Sequence, residues 1–488
     1  MPDSREDVRA APLQTARIAV TRKWPALCAA VQTCSGTFRH GRQSMLRPIL
    51  RSRLRNSCGV IYTDSSLIRE FQMRNIKVQT LRCCLGLVTG LIFVGNSGLS
   101  AADWNQFRGP NRDNLSDETG LLDRWPDGGP ERLWTGTGLG KGYATVAVVG
   151  DLIYSMGNVD GAEQIIALDR TTGDIVWKTR NGGEYHDGSG DGPRGTPTVV
   201  NGKVYALGGN GDLTCCDSAT GDVLWQKNIL NDFGGSNITW GISESVLVDD
   251  GKVICSPGGS RASVVALDAE TGSTKWVSKI PESPQASYAS PVIAKVGRVK
   301  QYIVFTSKGI VGVRAGDGQP MWGQNKSSNG TANCATPLVV GSRVFSSSGY
   351  GTGAELIELR SQGTKTTSQL TYHTTDMKNH HGGMVHLKGF VYGSNADILA
   401  CVNLRTGKPT WRERGKKGSV VYADNKIVFR NESGEVLLLA ANSRSYQELG
   451  RFSQPDRSNR PAWSHPVIAG GRLYLRDQDR LLVYSLQN

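Results

Sequence analysis

The sequence predicts an all-β protein, an eight-bladed β-propeller of four-stranded antiparallel blades, and three observations lead to this prediction. A unit of the form Asp-x-x-Thr-Gly-x-x-x-Trp occurs six times with substitutions, at a period typical of propellers and arrays. Short β-rich runs alternate with Gly-containing turns. No stretch after Asp103 holds helical periodicity long enough to compete. The glycines of the six units, which lie 44 to 51 residues apart, are Gly173, Gly221, Gly272, Gly318, Gly363 and Gly407.

One unit shows how a blade is built. Pro197 to Val200 forms a first strand, and the turn Asn201-Gly202 leads to a second strand, Val204 to Leu207. Asn210-Gly211 then precedes a third strand that ends at Asp217, and the Thr-Gly turn leads to a fourth strand that ends in Trp225. Four antiparallel strands repeated around an axis form the blades of a propeller.

The number of blades follows from the first strands. They are expected to begin near Ala144, Thr196, Ser245, Ser290, Thr336, Gly383, Ser419 and His465. The last blade has only three strands before the sequence ends, whereas Glu131 to Trp134 reads as an orphan fourth strand with its own Trp. We therefore expect this N-terminal strand to complete the last blade, which leaves no open sheet edge. The alternative is seven blades, if the degenerate unit after Ser419 is not a blade.

The first hundred residues differ from the rest. Residues 1–72 are basic and lack the repeat, and are interpreted as a non-native upstream extension or a disordered segment. From Met73, positive residues, an apolar run and Ser100-Ala101-Ala102 follow in the order of a signal peptide, assigned to 73–102. The apolar run is short for a membrane span, although a long-tailed signal or a retained membrane anchor is the alternative. A leader, 103–130, precedes the propeller at 131–488, and its aromatic and Arg residues are expected to pack on the propeller's side. Export to the periplasm or secretion is the predicted localisation.

The net charge and the cysteine count bear on whether the protein binds nucleic acid or metal. The formal net charge is +13, and the first 102 residues contribute +10 of it, so the part that follows is only weakly basic. The sequence therefore gives no indication of nucleic-acid binding, which needs clustered basic faces. Five cysteines remain after residue 102, an odd number without metal-ligand spacing.

The repeat, as in Ala167-Leu168-Asp169 through Trp177, resembles that of quinoprotein (PQQ) dehydrogenases and of their non-enzymatic relatives, which include the propeller lipoprotein of the Bam complex. The leader Trp104 to Pro110, with Gly192 to Pro197 and Trp240 to Ser243, is similar to secreted PQQ-like propellers of planctomycete-type bacteria. The resemblance covers about 355 residues. It implies the propeller fold, with an Asp and Thr-Gly that form the turn and a Trp that packs against the neighbouring blade.

The resemblance also implies the features of a quinone site. The enzymes of this family have a calcium ion with oxygen ligands, a catalytic Asp, a Trp under the quinone and often a disulfide between adjacent cysteines. Cys215-Cys216 is such a pair, but it occupies third-strand positions that are Ala-Leu in other repeats, so we interpret both as core residues. No carboxylate pair aligns with the calcium and base positions. The loop from His186 to Gly192 can wrap a cation but lacks EF-hand spacing. No cofactor or metal is therefore predicted, and PQQ with calcium stays open.

Candidate functional residues come from the segments that lead into the first strands (the lead-ins), because these converge near the axis at one mouth of a propeller. Aromatic, basic and His side chains recur there, which favours a binding funnel for a planar, anionic or sugar-like ligand. The alternative is that these aromatic residues plug a narrow channel. The predicted ligand-binding residues are Tyr143, Arg194, Trp240, Tyr288, Asn333, His380, His381, Trp463 and His465.

Two functions remain open. The first is an exported, non-catalytic binding platform for a protein or small ligand at the central funnel, with no catalytic residue assigned. The second is a PQQ- and calcium-dependent dehydrogenase that oxidises an alcohol or sugar. Assembly of outer-membrane proteins rests on fold analogy alone. Any membrane association is expected only through export or the N-terminal anchor.

Overall fold

Eight four-stranded antiparallel sheets form the part of the protein that the structure describes, as the sequence predicts. The computed structural model describes residues 103–415 and 417–487. The predicted upstream extension (1–72) and signal peptide (73–102) lie outside the described residues. Within the described ranges, no helix is both long and apolar enough to cross a membrane.

The blades follow one another in chain order, with strands in sequential antiparallel pairing. Blade 1 is β2 (Ala147–Val149), β3 (Leu152–Val159), β4 (Ala162–Asp169) and β5 (Ile175–Gly183). Blade 2 is β6 (Thr198–Val200), β7 (Lys203–Leu207), β8 (Asp212–Asp217) and β9 (Val223–Asn228), followed by the helix α1 (Ile229–Phe233). Blade 3 is β10 (Leu247–Asp249), β11 (Lys252–Cys255), β12 (Val264–Asp268) and β13 (Thr274–Ser278). Blade 4 is β14 (Val292–Val296), β15 (Val299–Thr306), β16 (Gly309–Arg314) and β17 (Pro320–Gln324).

The second half of the ring continues the pattern. Blade 5 is β18 (Leu338–Val340), β19 (Arg343–Ser348), β20 (Gly353–Gln362) and β21 (Lys365–Thr374). Blade 6 is β22 (Met384–Leu387), β23 (Phe390–Asn395), β24 (Ile398–Asn403) and β25 (Pro409–Arg414). Blade 7 is β26 (Gly418–Ala423), β27 (Lys426–Asn431), β28 (Glu435–Ala440) and β29 (Glu448–Ser453). Blade 8 is β30 (Val467–Ala469), β31 (Arg472–Asp477), β32 (Arg480–Ser485) and the N-terminal strand β1 (Arg132–Gly136).

The N-terminal strand closes the ring. β1 pairs antiparallel with β32, in a register that places Thr135 opposite Leu482. Both the eight-blade count and the closure by an N-terminal strand are therefore confirmed, and the seven-blade alternative is wrong, since the unit after Ser419 forms a complete blade.

The repeated Trp joins several blades to the blade that follows. The indole of Trp177 lies over Gly221 of blade 2, where an added Cβ would approach within 2.6 Å of Thr179 Oγ1 and 2.7 Å of the indole, and its Nε1 donates to Ser218 O at 3.2 Å. Gly221 has φ of +79°, so Gly is required both for this conformation and for the close approach. Corresponding indoles cover corresponding glycines elsewhere: Trp134 over Gly173, Trp225 over Gly272 and Trp276 over Gly318.

Blade 5, whose repeat has lost its Trp, uses a Tyr instead. Tyr372 lies over Gly407 of blade 6, and its hydroxyl donates to Leu404 O at 2.6 Å. In the preceding blade, Trp322 donates to Gln301 Oε1 of its own blade at 2.7 Å. No atom outside its immediate neighbours would lie within 4 Å of a Cβ on Gly363, so the degenerate turn of blade 5 lacks the indole cover found elsewhere.

Hydroxyl groups link the blades near the axis. The first strands of neighbouring blades contact one another, which places them innermost. At their lead-ins a backbone amide donates to a side-chain hydroxyl of the following blade, as Thr196 N does to Ser245 Oγ at 2.9 Å. Four such bonds run from blade 1 to blade 5 through Thr145, Thr196, Ser245, Ser290 and Thr336. The lead-ins are therefore fixed relative to one another.

The first part of the leader, 103–115, lies in the channel rather than on the propeller's side, whereas Trp125 in its second part packs against Phe452 of the outer strand β29. The leader starts on the face that carries the turns between first and second strands, where Asp103 Oδ1 accepts from Gly150 N at 3.0 Å. Arg108 donates to Thr336 O at 3.0 Å and to Met384 O at 2.7 Å, in blades 5 and 6. Hydrogen bonds between the leader and the rest of the ring involve Val148, Val199, Ser245, Val246, Pro291, Tyr422, Gly470 and Gly471. One segment thus bonds to all eight blades, and sequence reasoning missed this because the contacts are long-range.

The adjacent cysteines are core residues, as interpreted from the sequence. Cys215 and Cys216 are buried and free, and they belong to different hydrophobic clusters because consecutive strand residues face opposite sides of a sheet. Burial raises the pKa of each thiol to about 12, so neither is a thiolate at neutral pH.

We predict that Trp134→Ala destabilises the whole propeller, because the ring is closed through β1 and this indole covers Gly173 of blade 1. Large-to-small aromatic substitutions cost about 3–5 kcal/mol when fully buried, and Trp134 is half-buried, so about 2–3 kcal/mol is expected. Urea unfolding measures the change. The matched control is Leu133→Ala on the same strand, which is 41% exposed and should change the free energy of unfolding by less than about 0.5 kcal/mol. Equal effects of the two substitutions would contradict the role of the indole.

We predict that Arg112→Met destabilises the fold by about 3 kcal/mol or more, because it leaves buried carbonyl groups without donors. Its guanidinium donates to Ser245 O and Pro291 O, each at 2.9 Å, and to Val246 O. The control, Arg124→Met, lies at an exposed leader position and should have little effect. Chemical unfolding of the purified variants tests this, and an Arg112→Met variant as stable as the control would show that the leader is not a structural part of the channel.

Candidate functional site

A cavity of about 370 Å³ opens at the mouth of the propeller, where the lead-ins converge. Its wall combines residues from lead-ins, from the leader and from one turn between strands. Phe107 of the leader lies at the bottom, with its ring centroid 5.0 Å from that of His465. Because the leader occupies the channel behind Phe107, the cavity is closed at that end. The described lining residues are Phe107, Tyr143, Thr145, Ser189, Arg194, Thr196, Trp240, Ser243, Tyr288, Ala332, Cys334, Tyr350, His380, His381, Lys417, Trp463 and His465.

The structure brings together eight of the nine residues that the sequence singles out. Those that line the cavity are Tyr143, Arg194, Trp240, Tyr288, His380, His381, Trp463 and His465. Asn333 lies behind the wall, only 2% exposed, while its neighbours Ala332 and Cys334 reach the cavity. Its Nδ2 donates to Thr306 O and its Oδ1 accepts from Asn329 N, so its amide holds the loop of this lead-in. Ligand binding by any of these residues stays a prediction.

Aromatic rings cover two parts of the wall. On one side, Trp463 lies between Tyr143 and His381, with centroid distances of 4.7 and 5.4 Å. On the other, Trp240 and Tyr288 are 5.7 Å apart. The interplanar angles in these pairs are 39°, 53° and 49°, so neighbouring rings are inclined to one another. The wall is thus a set of tilted apolar facets.

Arg194 is held in place by its own loop. Its guanidinium lies 4.5 Å from the ring centroid of Tyr185 and 5.6 Å from that of Tyr143, within the range of cation–π attraction. It also donates to the carbonyls of Gly190, at 2.7 Å, and of Gly192. Burial lowers the pKa of Arg194, yet a guanidinium remains charged at neutral pH. A fixed positive charge therefore faces one side of the cavity.

A polar cluster stabilises the opposite wall. Glu432, in the turn between β27 and β28, accepts from Trp463 Nε1 at 2.6 Å and from His381 Nε2 at 2.9 Å, and it lies 3.3 Å from Lys417 Nζ. Burial alone would raise the pKa of Glu432, but the hydrogen bonds from His381 and Trp463 and the Lys417 charge lower it below its usual value. Burial lowers the pKa of His381, and we assign this ring as neutral with its Nε2–H donating to the carboxylate.

The other two histidines are also neutral at physiological pH. Burial lowers the pKa of His380 and of His465 to about 3. His465 Nε2 donates to His381 O at 2.8 Å, and His380 Nδ1 accepts from Lys417 Nζ at 3.4 Å. The charge at the cavity wall therefore comes from Arg194 and Lys417, while the histidines supply neutral polar edges.

Sequence reasoning did not select Phe107, Tyr350, Lys417 or Glu432. Phe107 reaches the cavity only because the leader enters the channel. Tyr350 lies between β19 and β20, and Glu432 lies in the equivalent turn of blade 7. These turns face the mouth because the second strand of a blade runs antiparallel to the first, which starts there. Glycines on both sides of Tyr350 were the available signal.

The residues present do not match a calcium-dependent quinone site. Calcium takes carboxylate and amide oxygens, and no described lining residue is an Asp, Glu, Asn or Gln. Across residues 103–415 and 417–487, no group of three or more His, Cys, Asp or Glu side chains is placed to hold a metal ion. In the loop from His186 to Gly192, Asp187 Oδ1 accepts from Ser189 N, and Asp191 pairs with Lys141 and His186. The carboxylates of this loop are thus engaged in contacts within the loop and with Lys141.

Comparison with known proteins places this fold among its relatives. The family model PQQ_2, described as outer membrane protein assembly factor BamB, matches residues 125–226 and 161–413. The outer membrane protein assembly factor BamB of Burkholderia pseudomallei (strain K96243) is 27% identical over 197 residues, 39% of this chain and 45% of that protein. The quinohemoprotein alcohol dehydrogenase of Comamonas testosteroni is 30% identical over 168 residues, 32% of this chain and 22% of that protein. The chain thus spans less than half the length of either relative.

Among solved structures, BamB from Moraxella catarrhalis superposes with a TM-score of 0.50 at 17% identity, covering 72% of this chain and 97% of that chain. At this identity the likeness concerns the fold alone.

We predict that Glu244→Gln stabilises the protein above neutral pH. Glu244, in the lead-in of blade 3, is 3% exposed and accepts from Ser256 N at 2.8 Å. Burial raises its pKa from 4.5 to about 7. The unfolded chain therefore releases this proton at lower pH than the folded protein does, so the free energy of unfolding falls as pH rises from 4.5 through 7, by about 3 kcal/mol in total.

Urea unfolding between pH 5 and 8 tests this prediction. Glu244→Gln keeps the acceptor oxygen and removes the titration, so its advantage over the natural protein should grow with pH. Glu131→Gln, at an exposed position, serves as the control. An advantage that is constant across this range would contradict the prediction.

Proposed function

This chain belongs to the PQQ_2 family, described as outer membrane protein assembly factor BamB, and from that premise we propose that it is a non-catalytic binding platform. In this proposal the ligand occupies the cavity at the mouth of the propeller, and the ring of blades serves to hold the wall rigid. The family itself contains proteins named as assembly factors, and relatives outside that name are quinone-dependent enzymes.

The closed aromatic cavity is the observation that carries the proposal. Small-molecule sites are concave, largely apolar and furnished with a few fixed polar groups. Here the walls are formed by Trp240, Tyr288, Tyr143 and Trp463, and the fixed charge is supplied by Arg194. The cavity volume of about 370 Å³ lies within the range of ligand pockets.

The chemistry of the wall supports binding rather than catalysis. The carboxylate nearest the wall, Glu432, already receives hydrogen bonds from His381 and Trp463 and a charge contact from Lys417. A general base needs a free acceptor within reach of a bound substrate. The neutral His380 and His465, whose pKa values lie near 3, are poor bases at pH 7. These groups support the wall, and none is arranged as a nucleophile with its base.

A quinone-dependent dehydrogenase is the second candidate, favoured by the match to the Comamonas testosteroni enzyme. When bound, a quinone with calcium would supply the electron acceptor of an alcohol oxidation. The described lining residues lack the oxygen ligands that calcium requires, which is why we place this function second.

The remaining parts of the proposal concern location and partners. We place the protein in the periplasm or outside the cell, in line with the signal peptide proposed at 73–102. The relatives named as outer membrane protein assembly factors support a protein partner. This partner would bind in addition to the small ligand proposed for the cavity. No partner is assigned to a surface of this chain.

We predict saturable binding of the anionic dye anilinonaphthalene sulfonate by the folded protein, with one site per chain. Trp240→Ala should weaken dye binding by about tenfold or more, since it removes one apolar wall, and should leave the urea unfolding curve nearly unchanged. Leu224→Ala on β9, at a position 48% exposed on the outer rim, is the matched control and should leave dye binding unchanged.

The same titration separates the alternatives. Absent or unsaturable dye binding by well-folded protein would show that the aromatic residues plug the channel. A rise in melting temperature with PQQ that depends on calcium would instead support the dehydrogenase, since a ligand at about 100 times its dissociation constant stabilises a fold by about 2.7 kcal/mol.

A further inference from the structure

Resting on the proposed binding function, we infer that the ligand is an acidic sugar chain, with one sugar unit in the mouth cavity and the next in an adjoining groove. Three features of the mouth support an acidic sugar chain: the inclination of the aromatic rings, the sign of the charge, and a groove that shares a wall with the cavity.

The inclined rings suit a puckered ligand better than a flat one. The two rings of each pair lie next to each other on the wall, inclined by 39° for Tyr143 and Trp463 and by 49° for Trp240 and Tyr288. A flat ligand would therefore lie flat on one ring of a pair and not on both. A pyranose presents patches of C–H groups in different directions, and each patch can rest on the electron-rich face of a separate tilted ring. The cavity wall therefore fits a sugar unit.

Polar atoms between the aromatic rings can form hydrogen bonds with the hydroxyl groups of a sugar. Ser243 and the neutral His380 contribute polar atoms to the lining, whereas the hydroxyl groups of Thr145 and Thr196 form hydrogen bonds between blades. His380 Nδ1 accepts from Lys417, and for its Nε2 no hydrogen-bond partner is found among the described residues. With Nδ1 as the acceptor, Nε2 carries the proton and is a donor for a ligand oxygen. Neutral donors and acceptors of this kind are those that bind sugar hydroxyls.

The charge of the wall favours an acidic sugar. Arg194 and Lys417 are the charged residues among the described lining, and both are cationic. Arg194 lies 3.9 Å from Asp187 and Lys417 lies 3.3 Å from Glu432, so each charge is partly compensated by a carboxylate outside the lining. A carboxylate or sulfate group on the sugar would give these partly buried cations a second acceptor.

A groove of about 550 Å³ adjoins the cavity and provides room for a second unit. Lys417 lines both spaces, and the carboxylates of Glu432 and Asp397 also line the groove. Arg460 lines the groove and is exposed. Within the described residues its guanidinium makes no hydrogen bond or ion pair. A chain with one acid group per unit would thus meet Arg194 and Lys417 in the cavity and Arg460 in the groove.

Isothermal titration calorimetry with defined tetrasaccharides tests this inference. The probes are tetragalacturonate, a sulfated tetrasaccharide and a neutral tetrasaccharide of the same length, together with free galacturonate. We expect at least one acidic tetramer to bind about tenfold or more tightly than the neutral tetramer, with affinity that falls as salt rises. The two acidic probes distinguish a carboxylate from a sulfate.

Substitutions at Arg460 and Lys417 distinguish binding in the groove from binding in the cavity. Arg460→Gln should weaken the acidic tetramer by about tenfold while leaving the single sugar and the dye unaffected, because it touches only the groove. Lys417→Gln should weaken both the tetramer and the single sugar. Lys365→Gln, at an exposed position on β21 that lines neither space, is the control for loss of one positive charge.

The outcomes separate this inference from the function on which it rests. Dye binding with no preference for either acidic tetramer over the neutral one would overturn the inference and leave the binding platform intact. Failure of both dye and sugars to bind folded protein would overturn both. An acidic preference that Arg460→Gln leaves unchanged would refute the extension into the groove.

Discussion

An indole stacked over a glycine of the next blade is the contact on which the rest of this structure depends. A single four-stranded sheet cannot bury both of its faces, so each blade is stable only against its neighbours. The Trp side chain supplies a large apolar area together with an N–H that reaches a carbonyl of the following blade, as Trp225 does with Ala269 O at 3.0 Å. The glycine beneath it is required because its φ is positive and because a Cβ would collide with the ring. Blade 5 shows that the contact matters more than the residue type, since Tyr372 makes it where Trp is absent.

Closure of the ring joins these contacts into one continuous frame. Without β1, blade 8 would expose an unpaired edge and Gly173 of blade 1 would lose its cover. The hydroxyl bonds from Thr145 to Thr336 then fix the innermost strands. Because the lead-ins are attached to these strands, the ring of blades determines the geometry of the cavity wall.

The leader determines how deep the cavity is. Two guanidinium groups, those of Arg108 and Arg112, are fully buried and remain protonated although burial lowers their pKa values to about 10 and about 9. The carbonyl groups at the inner ends of several blades accept their N–H groups and so offset part of the cost of dehydration. Phe107 is placed between this plug and the mouth. The same segment thus stabilises the axis of the propeller and forms the floor of the proposed binding site.

The sequence by itself determined the number of blades, the order of their strands and the N-terminal closure, because a repeated turn and a repeated Trp encode local geometry that is independent of distant residues. It also selected about half of the described lining of the cavity, since Tyr143, Arg194, Trp240 and His381 occupy lead-ins whose position near the axis follows from the repeat. Only the tertiary structure decided that the leader enters the channel, that Glu432 joins His381 to Trp463, and that Asn333 lies behind the wall. These features depend on contacts between residues far apart in the chain, for which the repeat pattern contains no information.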